Sequence, residues 1–222
     1  MIATGVFALG IRDALIVPGD PAATAANILG AEPWFRLGFA ADLVSAGAYV
    51  GTTFLLYILL RPVSRSGSLF AALLGLAGSV IMAVNLAHLM GALFYLKGGP
   101  ALAAFDAGQL QALAMASLRL HALGYNIAVV MFAAHLMMLG WLVLKSAFLP
   151  RLLGVLLVLA WLSWWINSFA IFLAPGFAAY LYPYILLPSL AAEGGLALWL
   201  VVMGVNEQRW REQCRRMREI DQ

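Results

Sequence analysis

Long apolar stretches separated by short polar segments make up most of this chain. A helix needs about 20 predominantly apolar residues to cross a bilayer. Five segments meet that length, over roughly 37–60, 68–96, 112–144, 149–174 and 184–205. A sixth apolar segment, MIATGVFALGIRDALIV, opens the chain and would reach only about 25 Å as a helix. The pattern predicts an all-α, polytopic membrane helical bundle of about six transmembrane helices, with a short or truncated first span.

The composition supports this class. The chain is 64% hydrophobic and 10% charged, whereas soluble domains are about 45–50% apolar and about 25% charged. Five of the 13 basic residues lie in the C-terminal tail, so the net charge of +3 does not indicate a nucleic-acid partner. The sole cysteine is Cys214, which excludes an intrachain disulfide and thiol–disulfide relay chemistry. The lipid bilayer is therefore the expected partner.

Basic residues are concentrated on one side of the predicted spans. The turns at 61–65 and 145–151 carry two each, and the tail adds five more. The opposite loops contain only Arg36 and Lys97. By the positive-inside rule both termini should be cytoplasmic. We expect a single transmembrane domain over residues 1–205 and a basic cytoplasmic helical tail over 206–222, continuous with the last span and able to contact anionic lipid.

Two aspartates are placed to begin helices in the outer loops. Asp20 precedes Pro21, which suits the first position of a helix, and Asp106 precedes the third long apolar segment. Aspartate is a favoured N-cap residue because its carboxylate accepts hydrogen bonds from the first free backbone N–H groups. We therefore expect a short surface helix after Asp20 and a capped helix after Asp106.

Several spans carry polar side chains at similar depths. A rise of about 1.5 Å per residue from the outer boundary puts Asp42 at ~8 Å, Asn167 at ~9 Å, His88 at ~12 Å, and His121 and Glu193 at ~13 Å. Asn85 lies one turn deeper than His88. An ionisable residue in the bilayer costs at least ~2.5–3.5 kcal/mol. We therefore expect these groups to share an outward-opening pocket in the outer half, closed toward the cytoplasm by packed Leu, Val and Trp.

The segment SLRLHALGYNIAVVMFAAH, residues 117–135, carries polar groups on two helical faces. At about 100° per residue, His121, Tyr125 and His135 share one stripe, and Arg119 and Asn126 share another. Gly124 would allow a neighbouring helix to approach closely. His135 stands alone in the inner half and is expected to be structural.

Three functional interpretations remain open. In the first, a small ligand or protons bind in the pocket of a transporter or receptor, because acids, histidines and an arginine suit both tasks. The predicted ligand-binding residues are Asp42, His88, His121, Asn126 and Glu193, with Asn85, Arg119, Tyr125 and Asn167 as secondary candidates.

In the second interpretation the protein is a membrane enzyme that binds a metal ion or haem. His88, His121 and Glu193 offer suitable metal ligands, with Asp42 as a further one, and the two histidines could hold one haem. In the third it is a non-catalytic subunit of a homo-oligomer or larger membrane complex. The same polar groups could instead only link helices. Nucleophile and phosphate-loop motifs are absent, so no reaction is predicted.

Several strings carry a resemblance to a known family. They are LIVPGDPAATAANILGAEPWFRLGFAADL, LLYILLRPVSR, AAFDAGQLQALA, FLPRLLGVLLVLA and the pattern E-x-x-LALWL that begins at Glu193. From about Leu15 to Val205 the chain resembles the bacterial six-helix membrane protein family catalogued as domain of unknown function 4386. That resemblance implies a six-span protein of the bacterial inner membrane with a fuller first span. It implies no reaction and no functional residues.

Overall fold

The protein is helical throughout the part of the chain that the structure describes. This computed structural model describes residues 2–220, and it describes their side chains except at 2–6, 13, 218 and 220. Within that range there are nine α-helices. They are α1 (Ile2–Leu15), α2 (Pro21–Gly30), α3 (Glu32–Leu60), α4 (Arg65–Lys97), α5 (Ala107–Lys145), α6 (Arg151–Leu173), α7 (Pro175–Leu181), α8 (Leu187–Val202) and α9 (Glu207–Ile220).

Five of the described helical segments are long and apolar enough to cross a bilayer. They are α3, α4, α5, α6 and the segment Tyr184–Val202, which contains α8. Each overlaps one of the five long segments predicted from the apolar pattern, so the all-α membrane class and those spans are confirmed. Helix α1 has 14 residues and would rise about 21 Å, which is less than a bilayer core. The sixth span therefore stays a prediction.

The chain divides into two compact units. The first unit comprises Met1–Val50 with Ser79–Asn126, and the second comprises Gly51–Gly78 with Ile127–Gln222. Buried Ile28, Phe35, Leu86, Leu93 and Leu118 form part of the core of the first unit. The core of the second unit is a larger set of buried leucines with partly buried tryptophans around them.

Both predicted helix starts are confirmed. The Asp20 carboxylate accepts a hydrogen bond from the Ala23 N–H at 2.9 Å, with Pro21 in the first turn of α2. The Gln109 N–H donates to Asp106 Oδ1 at 2.8 Å, and the Asp106 N–H donates back to Gln109 Oε1 at 3.0 Å. This reciprocal capping box satisfies two backbone donors that a helix start would leave free.

The connection from α1 to α2 is held by side-chain hydrogen bonds. The Val17 N–H donates to Thr24 Oγ1 at 3.0 Å, and the Thr24 hydroxyl donates to the Val17 carbonyl at 3.2 Å. Asn27 Nδ2 donates to the Leu15 carbonyl at 3.3 Å. These bonds fix the C-terminal end of α1 against α2, and they thereby restrain Arg12, which lies in the last turn of α1.

The tail is helical, but the expected continuation of the last span into it is wrong. Helix α8 ends at Val202, and Gly204 has a φ of 67°. Glycine adopts this left-handed conformation readily and ends many helices for that reason. Asn206 then begins α9, because its Oδ1 accepts a hydrogen bond from the Arg209 N–H at 3.0 Å. The tail is thus a separate helix.

Helix α9 is docked within the second unit. Trp210 Nε1 donates to the Leu59 carbonyl at the end of α3, at 2.9 Å. The Asn206 N–H donates to the Phe148 carbonyl at 3.3 Å, and the Ala147 N–H donates to Gln213 Oε1 at 3.2 Å. The tail helix is therefore attached to the α5–α6 turn as well as to α3.

Candidate ligand and proton site in the first unit

Arg12 and Asp42 form an ion pair between α1 and α3. Arg12 Nη1 donates to Asp42 Oδ2, and both side chains are only 13% exposed. Gly38, one turn before Asp42, lets α1 come close, since a Cβ at Gly38 would lie 3.4 Å from Ile11 Cγ2. A charge in a bilayer-spanning helix needs a partner. Asp42 was predicted from its depth, and Arg12 is the partner that the sequence prediction missed.

His121 of α5 and Asn85 of α4 form a second polar contact. Asn85 Nδ2 donates to the His121 carbonyl at 2.8 Å and lies 3.1 Å from His121 Nδ1. His121 Nδ1 also lies 3.3 Å from the Asn85 carbonyl oxygen. Both residues are buried. The two contacts to the ring are both at Nδ1, so they orient the imidazole while leaving its Nε2 outside the described hydrogen bonds.

Two glycines make these α4–α5 contacts possible. A Cβ at Gly124 would lie 2.1 Å from Asn85 Oδ1, and a Cβ at Gly91 would lie 2.9 Å from Ser117 Oγ. The Ser117 hydroxyl donates to the His88 carbonyl at 2.6 Å, while the His88 side chain is exposed. The expectation that Gly124 allows a close helix contact is confirmed. Asn85 positions His121, and Ser117 holds the backbone that carries His88.

The ion pair and the Asn85–His121 contact both lie in the first unit, which also contains His88. We call Arg12, Asp42, Asn85, His88 and His121 the polar cluster. It combines a guanidinium, which binds carboxylate or phosphate with two parallel hydrogen bonds, with a carboxylate and two imidazoles that can exchange protons.

The other predicted residues of α5 lie outside the described contacts of the polar cluster. Asn126 Nδ2 donates to the Ala122 carbonyl of its own helix at 2.9 Å. Arg119 is exposed, and Tyr125 is 38% exposed. Their assignment as ligand-binding residues stays a prediction from helical phase.

Glu193, Asn167 and His135 lie in the second unit. Glu193 Oε1 accepts a hydrogen bond from Trp164 Nε1 at 3.4 Å, and Asn167 is buried. His135 is 1% exposed, and its Nδ1 lies 2.7 Å from the Ala71 carbonyl oxygen. This buried, hydrogen-bonded position agrees with the structural role expected for His135.

The metal and haem interpretations remain predictions. Among the residues that the structure describes, no group of three or more His, Cys, Asp and Glu side chains could hold a metal ion. The proposed ligands His88, His121 and Glu193 are divided between the two units, the histidines in the first and the glutamate in the second. The polar cluster is therefore the site on which the functional proposal is based.

The described helices thus carry a part-buried ion pair between α1 and α3 and an oriented imidazole on α5. The family described as Domain of unknown function (DUF4386) has a model that matches residues 1–204. The chain therefore belongs to this family, as the resembling strings indicated. No curated protein and no solved structure gives a significant match. Because the family's description names no activity, function has to be argued from the site.

Proposed function

We propose that this protein binds a small anion together with a proton at the polar cluster, as a transporter or receptor of the bacterial inner membrane. The observation that carries the proposal is the Arg12–Asp42 ion pair, with both side chains 13% exposed. Charged groups in candidate spans cost at least ~2.5–3.5 kcal/mol each. A purely structural contact between α1 and α3 could be made by apolar side chains without that cost.

The ion pair provides a simple way to couple a proton to an anion. While Asp42 is ionised, its carboxylate occupies the Arg12 guanidinium. Protonation of Asp42 removes that negative charge, and the guanidinium can then bind a carboxylate or phosphate of the ligand. Proton and anion each favour the state that the other binds, so their affinities rise together.

His121 is the second proton-binding group of this proposal. In the tautomer whose Nδ1–H donates to the Asn85 carbonyl oxygen at 3.3 Å, Nε2 can take up a proton and then donate a hydrogen bond to a ligand oxygen. A protonated His121 would add positive charge beside Arg12 and strengthen anion binding. His88 would act in the same direction from α4.

Flux through reconstituted vesicles tests this proposal. The full chain is placed in liposomes that contain a trapped pH indicator, and an inward gradient of succinate or inorganic phosphate is applied. Both anions cross lipid poorly in their charged forms. We expect at least one of them to acidify the lumen faster than in protein-free liposomes. Arg12→Gln should abolish this acidification, because it removes the anion-binding group.

A matched control uses an ion pair outside the site. Glu207 and Arg211 form an exposed i,i+4 pair in α9, and the variant Glu207→Gln/Arg211→Gln should transport like the wild type. Equal loss in this control, or no acidification with either anion, would contradict a transporter. Anion-dependent thermal stabilisation without flux would instead favour a receptor.

We further propose six spans, with α1 as the short first one and both termini in the cytoplasm. The support is the asymmetry of basic residues, which the positive-inside rule relates to orientation. With each of the five long segments crossing the bilayer, the turns that carry Arg61, Arg65, Lys145 and Arg151 fall on the same side as the arginines of α9. A sixth crossing by α1 would place the N-terminus on that side as well.

The lone cysteine offers a direct test of this topology. Cys214 in α9 is half-buried, and Ala104 in the opposite loop is exposed. A membrane-impermeant maleimide added to intact cells should leave Cys214 unlabelled and should label Ala104→Cys made in a Cys214→Ser background. Permeabilised cells should label both. Labelling of Cys214 in intact cells would place the tail outside and contradict the proposal.

A further inference from the structure

A groove lies between the α5–α6 turn and the α8–α9 junction, within the second unit. It has a volume of about 410 Å³. Its lining includes Phe148, Leu149, Trp199, Met203, Val205 and Arg209. None of its lining residues belongs to the polar cluster, whose residues are all in the first unit.

The lining has an apolar part and one charged group. Phe148 and Leu149 are buried, whereas Met203 is 65% exposed. The Arg209 side chain is exposed and donates from Nη1 only to the Ala147 carbonyl, at 3.4 Å. Among the described residues, no carboxylate pairs with Arg209. Most donors of this guanidinium therefore remain available to an anion at the groove.

The groove lies where candidate spans end. Helix α5 ends at Lys145, α6 begins at Arg151 and α8 ends at Val202. The Lys145 and Arg151 side chains are exposed, so the turn that forms one wall of the groove has a basic residue at each end. In a bilayer, this level corresponds to the headgroup region, where apolar chains and phosphates meet.

We propose that the groove binds one anionic phospholipid. Its headgroup phosphate would accept hydrogen bonds from Arg209, and its glycerol and upper acyl chain would contact Trp199, Met203 and Leu149. Charge complementarity favours an anionic lipid, because Lys145 and Arg151 add positive charge near the groove and a zwitterionic headgroup would bring a second cation to it. The apolar side chains of Leu149, Trp199 and Met203 in the lining favour a lipid over free phosphate, which has no apolar part to bury.

Native mass spectrometry of the full chain in detergent tests this site. The protein is titrated with phosphatidylglycerol or with phosphatidylcholine of the same acyl chains. We expect one phosphatidylglycerol molecule to bind with high affinity and phosphatidylcholine to bind more weakly. Arg209→Gln should lower the affinity for phosphatidylglycerol about fivefold, which is the effect expected for one arginine at an anionic lipid surface. Arg209→Lys should retain most of the affinity, because it keeps the charge.

Two controls keep the outcome decisive. Arg216 is exposed on the same helix and does not line the groove, so Arg216→Gln should change the affinity less than twofold. Ala147→Trp should fill the groove and reduce binding without removing a charge. Equal binding of both lipids, or an Arg209→Gln variant with unchanged affinity, would overturn the proposal. So would competition by millimolar inorganic phosphate that removes the bound lipid completely.

Discussion

At the scale of single residues, the ion pair between Arg12 and Asp42 is the feature that most needs explanation. Both side chains are 13% exposed, and they join the first two long segments of the chain. Placing two charges out of water costs free energy that their mutual attraction repays only when the geometry is good. Removing one partner is worse than removing both, because the other charge is then left alone.

A double-mutant cycle measures this coupling. Arg12→Leu and Asp42→Leu should each lower the free energy of unfolding by about 3–5 kcal/mol, as expected when one partner of a buried pair is removed. The double variant should lose far less than the sum. Unfolding in mixed micelles with rising denaturing detergent provides the measurement. The exposed Glu207–Arg211 pair should give a coupling of only about 0–1 kcal/mol. Strictly additive losses at Arg12 and Asp42 would show that they are not paired.

Gly124 provides a second prediction at this scale. A Cβ there would lie 2.1 Å from Asn85 Oδ1, so Gly124→Ala should displace Asn85 and lower the free energy of unfolding by about 1–3 kcal/mol. Gly47 of α3 is the control, because a Cβ there meets nothing within 4 Å. Gly47→Ala should be neutral or should stabilise the helix by up to about 1 kcal/mol. The same unfolding assay compares the two, and equal effects would contradict the close contact.

Depth and residue type group Asp42, Asn85, His88 and His121 in the sequence, and the structure assigns all four to the first unit. Their role as ligand-binding residues stays a prediction. Arg12 was missed because it lies near the end of the short first apolar segment. The available signal was the opposite charge of Asp42 on the next long span. Only tertiary structure shows that α1 lies close enough to bring the two together.

At the scale of elements, the sequence predicted the long helices, and one helix boundary was missed. The apolar segments gave the five long spans because a bilayer sets a minimum length. The break before α9 was missed, although the sequence contains its signals. Gly204 ends α8, and Asn206 caps α9 two residues later. A glycine followed by an N-cap residue is a typical mark of one helix ending and another starting.

Trp210 connects the tail helix to α3, which gives a prediction for α9. Its Nε1 donates to the Leu59 carbonyl at 2.9 Å. Trp210→Phe keeps most of the apolar contact but removes this hydrogen bond, which contributes about 0.5–1.5 kcal/mol. The fraction of molecules in which α9 is detached should therefore rise about two- to tenfold. The maleimide labelling rate of half-buried Cys214 in purified protein measures this change.

The control for that measurement is another tryptophan. Trp34 is 57% exposed at the start of α3, so Trp34→Phe should leave the labelling rate of Cys214 unchanged. If Trp210→Phe also leaves the rate unchanged, the hydrogen bond to Leu59 does not hold the tail helix in place.

At the scale of the whole molecule, depth alone does not identify neighbours. Glu193 and Asn167 were grouped with Asp42 and His121 because all four fall in the outer half of their spans. The structure assigns Asp42 and His121 to the first unit and Glu193 and Asn167 to the second, so the grouping of these four residues stays a prediction from depth. Depth is one coordinate along a helix axis, and the side chains that meet at that depth depend on the packing of the helices. The hydrophobic pattern of a single sequence does not specify that packing.

The central claim is that a proton on Asp42 releases Arg12 for an anion. On this account, anion affinity rises as pH falls, because protonation removes the carboxylate that competes for the guanidinium. Protonated His121 and His88 would act in the same direction, so pH dependence alone does not identify the group. Asp42→Asn mimics the protonated carboxyl and should retain only the smaller pH dependence that His121 and His88 supply. His121→Asn should retain the dependence that Asp42 supplies.

The most direct measurement is proton uptake during anion binding by the purified protein in weakly buffered detergent solution. The wild type should take up about one proton per bound anion below neutral pH, as linkage through one carboxylate requires. Asp42→Asn should bind the same anion with most of this uptake lost, because only the imidazoles remain to take up protons. Wild-type proton uptake in Asp42→Asn would contradict the account, and its loss in His121→Asn alone would assign the proton to the imidazole.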